Sequence, residues 1–309
     1  WHELIKKVED TGAHGFELNF GCPHGMTERG MGAAVGQDPE IACMVVEWVM
    51  EKATIPVITK LTPNVHSVVP TGRSVVKAGS NGLSLINTIQ SVTGVDLDSF
   101  VPNPYVGGKS VFGGYCGPAV KPIALKMLTT IAQDDLTSKV PISGIGGVST
   151  WKDAVEFMLL GASNVQVCTA AMHHGFRIVE DMAEGLNNWM NEKGFKKLTD
   201  FIGKSVPTVT HWEDLDINYH HVAQIKQEKC IHCGLCYIAC EDTSHQSINL
   251  EKGMPYNTYT IKEEECVGCN LCQLVCPVDN CITMEERRVA PEYINWVEWQ
   301  KRGLPLNDH

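Results

Sequence analysis

No apolar run in this chain approaches the roughly 18 residues that carry a helix across a bilayer, and no leader of signal-peptide type opens it. Basic charge is scarce too: 25 Lys and Arg stand against 36 Asp and Glu, a formal net charge of −11. That deficit disfavours nucleic acid and anionic membranes as partners. A cytoplasmic expectation comes from the cysteine usage. No G-x-G-x-x-G stretch with a suitably spaced acidic residue is present, so neither an NAD(P) nor an FAD fingerprint is visible. The first residue is Trp1 rather than Met, which reads as a chain beginning partway through a longer protein. What the 309 residues do have is ordinary globular composition, 43% hydrophobic and 20% charged. That is enough for one large domain and a small one.

Thirteen cysteines are present. Disulfides in a secreted chain are one reading. However, eight of the cysteines fall in two tight runs, Cys230-x2-Cys233-x2-Cys236-x3-Cys240 and Cys266-x2-Cys269-x2-Cys272-x3-Cys276, the second followed by Pro277. Metal binding in a reducing compartment fits that spacing better. Two-residue spacers let three sulfurs grip one cube from a single loop, and in two-cluster ferredoxins the fourth cysteine of each run ligates the other cluster. The spacing therefore assigns Cys230, Cys233, Cys236 and Cys276 to one [4Fe–4S] cluster, and Cys266, Cys269, Cys272 and Cys240 to a second. Paired zinc sites, the alternative, favour isolated C-x2-C pairs. Gly234 and Gly268 lie inside the ligand loops, where backbone comes close to inorganic sulfide. Cys281, just past the second run, reads as a buried spare thiol. Such clusters relay electrons, which directs attention to the rest of the chain for a source and a sink.

Residues 1–192 alternate between β-rich and amphipathic helical runs. Strands are expected at Phe16–Phe20, Val57–Leu61, Gly82–Asn87, Val140–Ser143 and Asn164–Thr169. Helices are expected at Asp38–Lys52, Ser67–Ala78, Pro122–Ile131, Trp151–Leu160 and Gly175–Asn191, the first capped by Asp38 with Pro39 at its first position. Five parallel βα units fit either half of a doubly wound sheet or the later part of a (β/α)8 barrel. Polar residues gather at the expected C-terminal strand ends, as in barrels: Asn19 and Cys22, Lys60 and Thr62, Asn87 and Thr88, Gly144–Gly147, and Thr169. A barrel needs about 250 residues, so its first three strands would lie upstream of Trp1. The glycine turn Ser143-Gly-Ile-Gly-Gly147 is either a plain tight turn or, with the neighbouring Cys168-Thr169-Ala170, a phosphate site at adjacent strand ends. Lys60 either snorkels to solvent or points into the barrel mouth as a fixed charge. Cys22, in a glycine-rich loop, is either a packing thiol or a proton donor.

Several of these stretches together resemble dihydropyrimidine dehydrogenase: Asn19-Phe-Gly-Cys-Pro-His24, Lys60-Leu-Thr-Pro-Asn64, Asn87-Thr88, Gly117-Pro-Ala-Val-Lys-Pro-Ile-Ala-Leu125 and Ser143-Gly-Ile-Gly-Gly147. With the twin cysteine runs they follow one order along nearly the whole chain. Arg177–Gly185 and the short linker look most like the catalytic subunit of the two-subunit bacterial form. The resemblance implies FMN on a dihydroorotate-dehydrogenase-like barrel and reversible reduction of uracil or thymine to the 5,6-dihydro form. Electrons would come from NAD(P)H through FAD on a partner subunit and cross the clusters to FMN. Hydride would pass to C6 of the pyrimidine, and Cys22 would give a proton to C5. Asn19, His24, Asn87 and Thr88 would hold the substrate. Lys60 would sit near the flavin pyrimidine ring, with Gly117, Gly146, Gly147, Cys168 and Thr169 around the ribityl phosphate. Gly21 departs from the Ser of many members, which touches loop order and one substrate contact. The implied organisation is a partial FMN-binding barrel over 1–192, a linker over 193–222, a two-cluster ferredoxin-like α+β domain over 223–285 and a tail over 286–309, in an oligomer. Two other readings remain: a dihydroorotate-dehydrogenase-like flavin enzyme with a fused ferredoxin domain, and an electron carrier without its own catalysis.

Overall fold

The computed structural model describes residues 1–23, 30–243, 245–288 and 294–303. The chain divides into two compact units, Trp1–Val209 and Thr210–His309.

The first unit opens with α1 (His2–Glu9), followed by β1 (Phe16–Asn19), the short α2 (Ala33–Gln37) and α3 (Pro39–Met50). The side chain of Asp38 accepts hydrogen bonds from the amides of Glu40 and Ile41 at 2.9 and 3.1 Å, so α3 starts where its cap dictates. Its Ala42, Val45, Val46 and Val49 share one buried face, the spacing expected of a helix laid on a sheet. Next come β2 (Val57–Lys60), α4 (Val69–Lys77) and β3 (Gly82–Leu85). Between β3 and the next helix the chain makes an excursion of short antiparallel pieces: β4 (Ile89–Ser91), β5 (Gly94–Val95), β6 (Pro102–Asn103), β7 (Tyr105–Val106), β8 (Lys109–Ser110) and β9 (Gly113–Tyr115). Here β4 pairs with β9, β5 with β6 and β7 with β8. Regular alternation resumes with α5 (Lys121–Gln133), β10 (Ile142–Ile145), α6 (Trp151–Leu159) and β11 (Asn164–Gln166), then α7 (Thr169–His174) and α8 (Ile178–Lys193).

Five strands form one parallel sheet in the order β1-β2-β3-β10-β11, each beside its predecessor. A doubly wound sheet reverses direction at a switch point; this one does not. Phe16 and Leu18 of β1 point into the core shared with the helices, whereas Glu17 and Asn19 face the opposite side. On that face Gln166 Nε2 donates to Glu17 Oε2 at 2.7 Å, joining the two edge strands. Four strand spacings of ~4.8 Å would separate the edges of a flat sheet by ~19 Å. Two side chains cannot span that and still bond, so the sheet curls with this face concave. The α/β class is as expected. The strand expected over Asn164–Thr169 ends at Gln166, and Thr169 already begins α7.

The segment expected as a linker, 193–222, is divided. Phe201 is fully buried with Met158 and Met190, and its ring meets Trp189 edge-on at 5.0 Å. The amides of Gly203 and Ser205 donate to the carbonyls of Met158 and Leu159. Residues up to Val209 therefore belong to the first unit.

The second unit pairs β12 (Tyr219–Ile225) antiparallel with β15 (Ile282–Arg288), and β13 (Ile248–Glu251) with β14 (Thr258–Ile261). Two short helices follow the ligand loops, α9 (Leu235–Glu241) and α10 (Leu271–Leu274), and α11 (Trp296–Arg302) comes last. Among the described residues its buried core cluster comprises seven, of which Cys236, Cys272 and Cys281 are three. So small an apolar core does not hold a domain unaided. Among the described residues, no helix is long and apolar enough to cross a membrane.

Candidate functional site

Successive strands of the first unit deliver polar side chains to one pocket at their C-terminal ends. Lys60 enters from the end of β2, and Asn87 and Thr88 from the residues after β3. Gly117 follows the excursion; Gly146 and Gly147 follow β10, Gln166 ends β11, and Cys168 and Thr169 come after it. The cofactor-facing residues expected from the sequence thus line a single pocket, together with two of the four substrate-facing ones. Asn19 reaches the pocket wall indirectly, its Oδ1 accepting from Asn87 Nδ2 at 2.7 Å and from the Gly21 amide at 3.2 Å. Cys22 is partly exposed and does not line this pocket; its carbonyl accepts from the Ala33 amide at 2.9 Å. His24 lies outside the described residues.

Charge in the pocket is organised by residues that sequence reasoning missed. Lys60 Nζ lies 3.1 Å from Glu17 Oε1. Burial alone would raise the Glu17 carboxyl, but hydrogen bonds from Gln166 and Lys60 outweigh it and hold the group below the usual carboxylate range. Gln166 continues to Ser143 Oγ at 3.0 Å, and that hydroxyl in turn contacts Asn164 Oδ1. A polar chain therefore crosses the concave face from β2 to β11. The signal was available: Glu17 lies between Phe16 and Leu18, and Gln166 between Val165 and Val167. Asn64 is a second missed residue. Its Nδ2 donates to the Thr88 carbonyl at 3.0 Å and its Oδ1 accepts from the Gln90 amide at 2.8 Å, fixing the turn that presents Asn87 and Thr88.

The glycine turn after β10 is a narrow cradle. Gly147 has φ +76°, and a Cβ there would lie 2.8 Å from the Gly117 carbonyl oxygen and 3.0 Å from Lys121 Cβ. The turn is anchored from behind by Asp153, which accepts from the amides of Ser149 at 2.9 Å and Thr150 at 2.7 Å. Lys121 Nζ bridges Asp153 and Glu156 at 2.6 and 2.8 Å. Asp153 is held below its usual range because those donors outweigh the burial that would raise it. Backbone crowded by glycine, with Thr169 opposite, fits a phosphate-bearing group, and Lys60 beyond it fits the electron-rich end of a flavin.

Two cavities of the second unit are lined by cysteines. One is lined by Cys230, Cys233, Cys236 and Cys276, with Cys281 beside them. The other is lined by Cys240, Cys266, Cys269 and Cys272. Each cavity takes three sulfurs from one run and one from the other. Among the described residues no Cys, His, Asp or Glu group is arranged to hold a single metal ion; the sulfurs instead ring a gap. Four thiols around a gap fit an iron–sulfur cube. Burial pushes the Cys236 and Cys272 thiols up to about 11, so thiolate at these positions needs a compensating cation such as cluster iron. Gly268 has φ +70°, and a Cβ there would lie 2.5 Å from the His221 carbonyl oxygen, which excludes any larger residue from that loop.

Comparison with known proteins gives a consistent picture. The family model described as dihydroorotate dehydrogenase matches residues 1–190, and a 4Fe-4S dicluster domain model matches residues 223–284. The chain is 42% identical over 248 residues to the NAD-dependent dihydropyrimidine dehydrogenase subunit PreA of Escherichia coli, covering 80% of this chain and 60% of that one. It is 44% identical over 218 residues to the chloroplastic dihydropyrimidine dehydrogenase (NADP(+)) of Arabidopsis thaliana, covering 70% and 51%. Against the catalytic subunit of dihydroorotate dehydrogenase B (NAD(+)) of Pyrococcus furiosus it is 43% identical over 202 residues, covering 65% and 63%. The chain therefore spans about 60% of the length of the bacterial relative.

Proposed function

The chain belongs to the dihydroorotate dehydrogenase family, and from that premise we propose that it is the flavin- and cluster-bearing part of a pyrimidine reductase of the dihydropyrimidine dehydrogenase type. Its first unit would be the later part of a (β/α)8 barrel. The reaction is reversible reduction of uracil or thymine to the 5,6-dihydropyrimidine. Electrons arrive from NAD(P)H through FAD on a partner subunit, in a cytoplasmic oligomer. The observation that carries this reading is one pocket at the strand ends, lined by Lys60, Asn87, Thr88, Gly117, Gly147 and Thr169, on the same chain as two four-cysteine cavities.

Bound FMN supplies hydride chemistry, and two [4Fe–4S] clusters supply one-electron relay. The chain's own residues do the rest. Gly117, Gly146, Gly147, Cys168 and Thr169 receive the phosphate end of FMN in the cradle. Lys60, steadied by Glu17, sets a positive charge at the opposite end. Asn19, Asn87 and Thr88 offer amide and hydroxyl groups matched to the alternating N–H and C=O edge of a pyrimidine, and His24 adds to them. An analogue lacking those edges leaves buried polar groups unpaired and is rejected. Cys22 Sγ holds the proton delivered to C5 of the ring. Cys230, Cys233, Cys236 and Cys276 hold one cluster; Cys266, Cys269, Cys272 and Cys240 hold the other.

Orotate is disfavoured by a specific observation. A carboxylate needs a cationic partner, and the one Lys or Arg among the described residues lining this pocket, Lys60, is already paired with Glu17. The test is an optical titration of the full-length protein, purified anaerobically with its partner. Flavin and iron are expected in the purified protein. Uracil should reoxidise the reduced flavin, and orotate should not. Iron and sulfide without flavin would establish an electron carrier instead, and turnover of orotate alone would transfer the chain to dihydroorotate chemistry.

A further inference from the structure

The second unit is an internal repeat, and its two halves differ at a buried position that lines the cysteine cavities. Ile225–Cys240 and Ile261–Cys276 align without gaps, bringing Lys226 opposite Lys262 and all four cysteines into register. Beyond the last cysteine of each run, the chain re-enters a strand at Ile248 in one half and Ile282 in the other. The residues just before these strands, Ser247 and Cys281, are 3% and 2% exposed. The backbone confirms their equivalence: the Lys262 amide donates to the Ser247 carbonyl at 2.8 Å, and the Lys226 amide to the Cys281 carbonyl at 2.8 Å.

The two side chains are engaged differently. Ser247 Oγ donates to the Glu265 carbonyl at 2.6 Å, with the His245 carbonyl at 3.2 Å, so its proton is committed to backbone, and its amide donates to Cys240 Sγ at 3.2 Å. Cys281 Sγ has the Lys226 carbonyl at 3.8 Å, a long contact even for a thiol. Cys281 packs in one cluster with Cys230 and Cys276 and lines the cavity they share. One cavity thus carries four sulfurs and a committed hydroxyl, the other four sulfurs and a fifth thiol. Both residues sit at the start of strands, so neither is carried by a mobile loop.

We propose that Cys281 is not a spare thiol but a hydrogen-bond donor to the ligand sulfurs of the cluster held by Cys230, Cys233, Cys236 and Cys276, raising that cluster's reduction potential. The inference rests on the ligand assignment under the proposed function. A reduced cluster carries one more negative charge than an oxidised one. A donor aimed at its sulfurs stabilises the reduced form more and moves the potential upward. The two clusters are then unequal, and the one beside Cys281 is the better electron acceptor of the pair. The four-cysteine spacing alone, identical in both runs, gives no such asymmetry.

The test is an EPR-monitored redox titration of the full-length protein, with iron content measured alongside. Cys281→Val keeps the cavity filled and removes the donor; Cys281→Ser keeps a donor. Cys281→Val is expected to retain full iron and both signals, with one midpoint displaced to more negative potential and the other unmoved. Cys281→Ser should restore at least half of that displacement. Unmoved midpoints in Cys281→Val, or an equal displacement in both variants, would overturn the donor role. Loss of about half the iron in either variant would overturn it too, by making Cys281 a ligand or a structural prop. A native protein with no cluster signal would sink the ligand assignment itself, a result distinct from clusters whose potentials do not respond.

Discussion

Replacing Gly147 by alanine isolates what the cradle does for flavin. Two costs meet at this position. The left-handed φ of +76° costs a residue with a Cβ about 1–2 kcal/mol. The added methyl would also lie 2.8 Å from the Gly117 carbonyl oxygen and 3.1 Å from the Lys121 amide nitrogen, backbone atoms that cannot rotate aside. Overpacking of that sort costs about 1–3 kcal/mol more. The lower bound of the sum, about 2 kcal/mol, corresponds to roughly a thirtyfold change in binding if the loop relaxes when flavin leaves. Gly108 supplies the control, because its φ is +75° yet nothing lies within 4 Å of a Cβ there. FMN affinity, read by fluorescence quenching in the full-length protein, should fall thirtyfold or more for Gly147→Ala and stay native for Gly108→Ala. Equal affinities in the two variants would refute the assignment of phosphate to this turn.

Other substitutions address the remaining parts. Cys22→Ala should lower steady-state uracil reduction by about a hundredfold or more while FMN absorbance is retained; unchanged turnover removes Cys22 from the reaction. Glu17 is held below the usual carboxylate range, so its contribution to stability is present above about pH 4.3 and lost as pH falls through the lower folded value. Thermal unfolding as a function of pH should therefore show a smaller acid loss in Glu17→Gln than in the native protein. Cys272→Ser should cost one cluster, about half the iron and its EPR signal. Chelating all the iron should make the second unit, with its seven-residue core, sensitive to protease while Trp1–Val209 resists digestion.

The parts legible in the sequence are those written in local code. Asp38 and Pro39 mark the start of α3 because capping involves neighbours only. The cysteine runs declare their chemistry because a cube's ligands must be closely spaced. The excursion from Ile89 to Tyr115 was not legible, since pairs of two or three residues carry no period to read. The network of Glu17, Gln166 and Ser143 was illegible for another reason: its partners are up to 149 residues apart. Asn64 was quoted only as part of a motif; its hold on Thr88 depends on the turn after β3 meeting the end of β2. Cys281 read as spare because nothing in its own neighbourhood reveals that the fold folds back on itself with Ser247 as counterpart.

The bond between Glu17 and Gln166 also dictates a timetable. It closes a loop of 149 residues, and long closures are the slow steps of chain assembly. Lys60 and Gln166 both line the pocket, so on the flavin reading a folding chain would have no finished berth until β1 and β11 have met. On the proposed reading, flavin would be loaded only after that meeting, and a chain stalled before it would accumulate as apoprotein.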